Sequence, residues 1–326
     1  MFAGNGACVI HETLSSRISD YELIALSPRW QYTPFVLPFL VNQKADVLHT
    51  TPDYAIFFRS KCRKLFLTFH NFVLDDEVQK YSSVLQKLHY RTDLKFFTRQ
   101  ALANADVITC VSKATAELVK QTLGYSGDME IIYNGVDTHR FTQGAGRKNS
   151  GEFKILFSGN LTRRKGAHLL VEIARKLKGR AVIYYTKGLN PRRNLPGHTR
   201  LRPVGVIEHR DIPRLYQEMD VLLLPSFREG FSVAVLEAMA AALPVVTSDC
   251  SSMPEQIEDG KGGYLCQAGD TDAFAESLNM LEQSPAICRE MGEFNRERVM
   301  SEFTLERMIL GYQAVFERLI SQGSSE

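Results

Sequence analysis

Two carboxylates and a group of cations carry the chemistry that can be read from this sequence. Glu229 and Glu237 stand eight residues apart in FREGFSVAVLEAMAAALPVV, residues 227–246. From Val233 to Val246 every other side chain is Ala, Val, Leu, Met or Pro. A carboxylate stranded in such a setting costs several kcal/mol unless a partner answers it. The stretch VLLLPSFREGFSVAVLEAM reads as strand, loop and helix, with Ser232 as the expected N-cap and Leu243-Pro244 as the stop. The start of a helix offers unpaired N–H groups and about half a positive charge, which suits a diphosphate. Gly230 lets the backbone approach it. If both glutamates were helical, they would lie ~12 Å and about 80° of rotation apart. With Glu229 in the loop, both face one extended ligand: a sugar hydroxyl at one end, a ribose at the other, phosphate between.

Alternating elements must position these groups. Strands are expected over Tyr21–Ser27, Asp46–Thr50, Lys64–Phe69, Asp106–Val111 and Glu130–Tyr133, with helices over Val78–Ala103 and Lys113–Leu123. The segment 141–153, rich in Gly, Ser, Asn and charge, breaks the pattern and reads as a linker. The alternation restarts with strands over Lys154–Ser158, Ala181–Tyr185, Arg200–Val204, Val221–Pro225, Pro244–Ser248 and Gly263–Cys266. Helices fit Ala167–Lys178, Asp211–Glu218, Ser232–Ala242, Thr271–Glu282 and Thr304–Ile320. This predicts an α/β fold of two Rossmann-like domains with parallel sheets and a cleft between them, divided at about residues 145 and 146. Ligands in such sheets bind beyond the carboxyl ends of the strands, where most of the motifs fall. The first domain reads as shortened: a glycine turn, Gly4-Asn5-Gly6, stands almost at the start, without the buried strand that normally leads into one.

Composition narrows the classes. The chain has 326 residues, 44% hydrophobic and 23% charged, with a net charge of +2, so no global field argues for nucleic acid. Six scattered cysteines without C-x-x-C spacing suit free thiols in a reducing cytoplasm. The N-terminus lacks a basic region followed by an apolar core, so no secretory leader is expected. The longest candidate for membrane contact, YTPFVLPFLV, is far short of the ~20 apolar residues that span a bilayer. Peripheral contact stays open. Lys87, Arg91, Lys95 and Arg99 recur every four positions among Tyr90, Phe96 and Phe97. They make either a solvated helix face or a surface for anionic lipid or an anionic acceptor. Asp270-Thr271-Asp272 reads as a helix cap, so no metal site is expected there. No G-x-G-x-x-G follows a strand, which argues against a dinucleotide-dependent oxidoreductase.

Glu229-Gly230-Phe231 with Glu237 resembles the E-x7-E motif of glycosyltransferase family 4, retaining enzymes of GT-B fold. ALPVVTSD, MPEQIEDGKGGYL, MEIIYNGVDTHRF and FSGNLTRRKGAHLLVEIA resemble further segments of that family, in the family's order. Coverage runs from about residue 46 to the end. The resemblance implies a nucleoside diphosphate sugar as donor, a glycan, lipid-linked or small-molecule hydroxyl as acceptor, and no cofactor or metal. It makes residues 1–145 the acceptor-side domain, with a final helix at about 304–326 packing back on it, and residues 146–303 the donor domain.

By the same resemblance, Glu229 meets the donor sugar and Glu237 the ribose, while backbone at Gly230, Phe231, Ser232 and Val233 holds the diphosphate. Lys165 matches the base aimed at that diphosphate. The family commonly has an arginine five residues earlier, where this chain has Asn160; Arg163 or Arg164 would then supply the charge. His70 matches a strand-end histidine facing the donor sugar, Gly205 a strand-end loop near the base, and Gly6 a displaced glycine turn. The chemistry implied is front-face displacement with retention. Two alternatives stand beside it: a non-catalytic relative that binds a nucleotide sugar or a partner, and a nucleotide-sugar epimerase.

Overall fold

A computed structural model describes residues 6–27, 30, 33–41, 44–80, 83–144, 151–188, 192, 194–205 and 207–323. The chain divides into two compact units, one of residues 1–134 with 306–326 and one of residues 135–305.

The first unit holds a parallel sheet in the order β1 (Ala45–Thr50), β2 (Cys62–Phe69), β3 (Val107–Cys110), β4 (Glu130–Ile131). Strand β2 is covered on both faces, and Leu65 through Phe69 are all buried. That is why its apolar residues run continuously instead of alternating. Leu65, Leu67 and Phe69 pack with Ala101, Leu102, Ile108 and Val119. Phe66 points the other way, where the C-terminal helix Leu305–Gly323 brings Phe316 to 5.4 Å and Tyr312 to 6.0 Å between ring centroids. The helix Lys113–Leu123 has the expected bounds, because Ser112 accepts the Thr115 N–H at its start and Gly124 takes φ 65° at its end.

Two expectations in this unit are corrected. Tyr21–Ser27 is not a strand; Leu26 alone makes an isolated bridge. The Tyr21 hydroxyl reaches inward to His11 and His49, and side-chain bonds anchor the segment where a ladder was expected. Val78–Ala103 is not one helix. Asp76–Lys80 precedes a fresh start at Ser83, whose side chain and Gln86 form a capping box for Val84–His89. A π-helical turn, Tyr90–Leu94, then leads into Lys95–Ala103. The S-x-x-Q spacing carried that signal in the sequence.

The second unit holds a six-stranded parallel sheet, β10-β9-β8-β5-β6-β7. These strands are β5 (Phe153–Phe157), β6 (Ala181–Tyr185), β7 (Leu201–Pro203), β8 (Val221–Leu224), β9 (Val245–Ser248) and β10 (Gly263–Cys266). Strand order reverses between β5 and β8, so the crevice beyond their carboxyl ends is the topological switch point. A helix not foreseen from the sequence, Pro285–Glu302, braces this unit. Its Asn295 donates to the carbonyls of Leu243 and Gly262, and its Arg296 to those of Thr138, Ala240 and Phe141. Asp270 caps Thr271–Gln283, accepting from the N–H groups of Asp272 and Ala273.

Candidate active site

The loops that leave β5 and β8 bring three of the expected residues together. The β5 loop carries Arg164 and Lys165, and the β8 loop carries Glu229. Lys165 Nζ lies 3.1 Å from Glu229 Oε1, and Arg164 lies 3.5 Å from the same oxygen. Ser226 donates to that oxygen at 3.0 Å. Burial alone would raise the Glu229 carboxyl. The charges of Lys165 and Arg164, with hydrogen bonds from Lys165 and Ser226, outweigh it and hold the group below the usual range. The cluster is therefore a carboxylate beneath two cations, net positive, at the place where the sheet topology puts ligands.

Two glycines make this geometry possible. Gly159 leaves room for the Lys165 side chain, whose Cδ would stand 3.1 Å from a Cβ there. Gly166 takes φ 72°, and a Cβ on it would meet the Pro225 carbonyl oxygen at 2.0 Å, so the β5 loop presses directly on the end of β8. The Phe227 N–H donates to the Arg164 carbonyl, and the Arg164 guanidinium donates to the Arg228 carbonyl, tying the two loops. Arg163 is exposed, so Arg164 is the arginine that joins the pair. Asn160 lies against Gly188, whose Cβ would meet its Oδ1 at 2.0 Å.

The helix Val233–Ala240 begins beside this cluster. Ser232 occupies the N-cap position, but its side chain makes no cap bond. Gln256 brackets its backbone instead, accepting the Ser232 N–H and donating to the Ser232 carbonyl, both at 2.9 Å. The Ser232 amide is therefore engaged. The first bond within the helix runs from the Leu236 N–H to the Ser232 carbonyl, so the amides of Val233, Ala234 and Val235 precede the ladder. Gly230 and Phe231 are buried, and the Phe231 ring packs 5.3 Å from Phe303. Ser251 accepts the Glu229 N–H and donates to the Glu229 carbonyl, which fixes the backbone of the β8 loop.

Glu237 points out of this helix to a partner that no local pattern in the sequence signals: Tyr216, whose hydroxyl donates to Oε2 at 2.7 Å. Burial raises the carboxyl to about 7, against the Tyr216 hydrogen bond and the charges of Arg140 and Lys165. The two glutamates thus differ, one held ionised by cations and the other poised near neutrality.

His70 belongs to the first unit, just past β2, with its Nε2 3.3 Å from His11 Nε2. Its Nδ1 is buried without a partner. Burial lowers its pKa to about 4. Gly205 follows β7 with φ 81° and is exposed, with open space around it. Gly6 opens the helix Gly6–Arg17, where a glycine turn was expected, and Gly4 lies outside the described residues. Among the described residues, no group of three or more His, Cys, Asp or Glu could hold a metal ion.

Two family models match nearly end to end. One, described as Glycosyltransferase Family 4, matches residues 14–140; the other, Glycosyl transferases group 1, matches residues 140–298. The glycogen synthase of Mycobacterium tuberculosis is 27% identical over 207 residues, 60% of this chain and 50% of that protein. The N-acetyl-alpha-D-glucosaminyl L-malate synthase of Bacillus anthracis is 27% identical over 235 residues, 67% of this chain and 61% of that protein. The chain thus spans about half to three-fifths of the length of these relatives. Sucrose-phosphate synthase from Thermosynechococcus elongatus superposes with a TM-score of 0.76 at 19% identity, over 94% of this chain and 82% of that one. Anabaena Alr3699/HepE, solved in complex with UDP-glucose, gives 0.75 at 15% identity, over 99% and 97%. At such identities the likeness shows the fold, which is GT-B.

Proposed function

We infer, because this chain belongs to the glycosyltransferases of family 4 and group 1, that it moves a sugar from a nucleoside diphosphate donor to an acceptor hydroxyl with retention of configuration. The observation that carries this reading is the Lys165–Glu229–Arg164 cluster, set at the sheet's switch point beside an open helix start. As the bond between sugar and phosphate breaks, negative charge gathers on the departing diphosphate. Lys165, Arg164 and the first amides of Val233–Ala240 stabilise that charge without a metal. Glu229 holds a sugar hydroxyl and Glu237 the ribose. The donor phosphate takes the acceptor proton on the same face. A uridine nucleotide is the first donor to test, since a protein of the same fold was solved with UDP-glucose.

Glu229→Ala and Lys165→Ala should each lower transfer at least about 100-fold, the scale of losing a preorganised charge contact. Near-normal turnover in either variant would refute the site. Donor binding with no transfer across many acceptors would favour a non-catalytic binder. A new sugar nucleotide formed without acceptor would favour an epimerase.

The acceptor reading has its own observation. Most of the exposed large apolar side chains among the described residues fall between Trp30 and Phe96. Phe35 is exposed yet packs on Phe57 and Phe97, with Phe96 beside Phe97, while Val84, Leu85 and Leu88 stand out along the next helix. Lys87, Arg91 and Lys95 are interleaved in sequence with the exposed Leu85, Leu88 and Phe96. The pairing fits an anionic membrane surface and hence a lipid-borne acceptor. No helix among the described residues is long and apolar enough to cross a membrane.

A further inference from the structure

We infer that a one-way chain of hydrogen bonds through the first unit fixes His70 as the Nε2–H tautomer, leaving Nδ1 as a lone pair that only a donor group can meet. The use of that lone pair by a substrate hydroxyl rests on the proposed function; the tautomer does not. The chain runs through His11, Tyr21, His49 and Thr68 to Thr109. Its direction follows from its two ends together: the Thr109 hydroxyl contacts the Leu67 carbonyl at 3.3 Å at the far end, and His70 Nδ1 is buried without an acceptor at the near end. A carbonyl only accepts, so aiming the single Thr109 proton there satisfies both contacts of Thr109, with Thr68 as the donor in the shorter one. Thr109 then accepts from Thr68 at 2.7 Å, which spends the Thr68 proton as well. Thr68 in turn accepts from His49 Nε2 at 2.7 Å.

Each imidazole passes the direction on. His49 is stacked on Phe66 with centroids 4.1 Å apart, and burial lowers its pKa well below the usual value, so it is neutral. With Nε2 protonated, its Nδ1 is a lone pair and takes the Tyr21 hydroxyl proton across 3.0 Å. The Tyr21 oxygen then accepts from His11 Nδ1 at 2.5 Å. Burial, with the His70 and amino-terminal charges, lowers His11 to about 2, so it too is neutral. Its Nε2 is the lone pair that takes the proton of His70 Nε2. What remains at the near end is His70 Nδ1, buried and unpartnered.

The opposite direction is disfavoured at both ends. It would set a Thr109 lone pair against the Leu67 carbonyl and leave a buried N–H on His70 without an acceptor. An orphaned buried donor is rarer and costlier than an under-used acceptor. His11, Tyr21, His49 and Thr68 are therefore positioning residues for His70. The group that meets Nδ1 must donate: a hydroxyl fits, a phosphate or carboxylate oxygen does not.

Long-range 15N–1H correlation spectra of the full chain with labelled histidine, at pH 7.5 and without ligand, test this. Nε2–H tautomers are expected for His70 and His49, and the Nδ1–H tautomer for His11. A dominant Nδ1–H form at His70 would overturn the proposal. Tyr21→Phe removes the hydroxyl and keeps the ring against Phe316. His49 should then stay Nε2–H, held from Thr68, while His11 and His70 become mixtures. Unchanged tautomers at His11 and His70 in that variant would also overturn it. Should Tyr21→Phe not fold, the wild-type spectrum decides alone. Expected tautomers in a protein that transfers no sugar would refute the functional reading and leave the chain of bonds standing.

Discussion

At the scale of single residues, the two glutamates show how surroundings push one side-chain type in opposite directions, Glu229 toward the ionised form and Glu237 toward the neutral one. Glu229 was legible in the sequence by type, spacing and loop position, as was Lys165, because the loops bearing them leave adjacent strands. The partner of Glu237 was not legible. Tyr216 lies 21 positions away on another helix, and only the packed fold brings its hydroxyl to 2.7 Å. That pairing predicts a pH effect. In the folded protein the Glu237 carboxyl titrates at about 7, above its reference of 4.5. Its contribution to stability is complete below the reference value and is lost as pH rises through about 7, a loss of about 3 kcal/mol at most. Glu237→Gln keeps an acceptor for Tyr216 and carries no charge. It should melt well above the parent at pH 8, and the gap should narrow at pH 5. A gap that is unchanged or reversed between those pH values would remove this account.

At the scale of elements, the strands of the second unit were legible to within about a residue, because Ala181–Tyr185 and Val221–Leu224 are unbroken apolar runs and the others are short, mostly apolar stretches set between helical segments and turns. The first unit was less legible where side chains replace backbone pairing. Tyr21–Ser27 has the composition of a strand, but its leading tyrosine is claimed by two histidines. The helix Pro285–Glu302 escaped notice because its apolar residues are sparse, although Ser284-Pro285 marks its start. The contact between the β5 and β8 loops makes its own prediction. Gly166→Ala adds a left-handed strain and drives a methyl into the Pro225 carbonyl. A loss of roughly 2–4 kcal/mol is expected from urea midpoints. Gly124→Ala has a similar φ of 65° and open space, and should lose only about 1 kcal/mol. Equal losses in the two variants would show that the loop contact is slack.

At the scale of the molecule, the apolar and basic surface between Trp30 and Phe96 predicts where the chain works. It should sediment with vesicles of phosphatidylglycerol and phosphatidylcholine, less so at high salt, and stay free of phosphatidylcholine alone. Leu88→Glu should abolish the binding. No binding to anionic vesicles at low salt would remove the membrane reading, and dimerisation lost in Leu88→Glu would assign the patch to a second copy. The C-terminal helix carries a different consequence, in the order in which the chain emerges from the ribosome. Tyr312 and Phe316 cover Phe66 of β2 and the ring of His49, which stacks on it from β1. His11 and Tyr21 already lie against His49, but the cover over Phe66 is missing until residue 316 has been made, whereas residues 135–305 hold all of their own sheet. The half that begins first in synthesis is therefore the half that finishes last, with Phe66 of β2 and His49 of β1 lacking this cover until the C-terminal helix has been made.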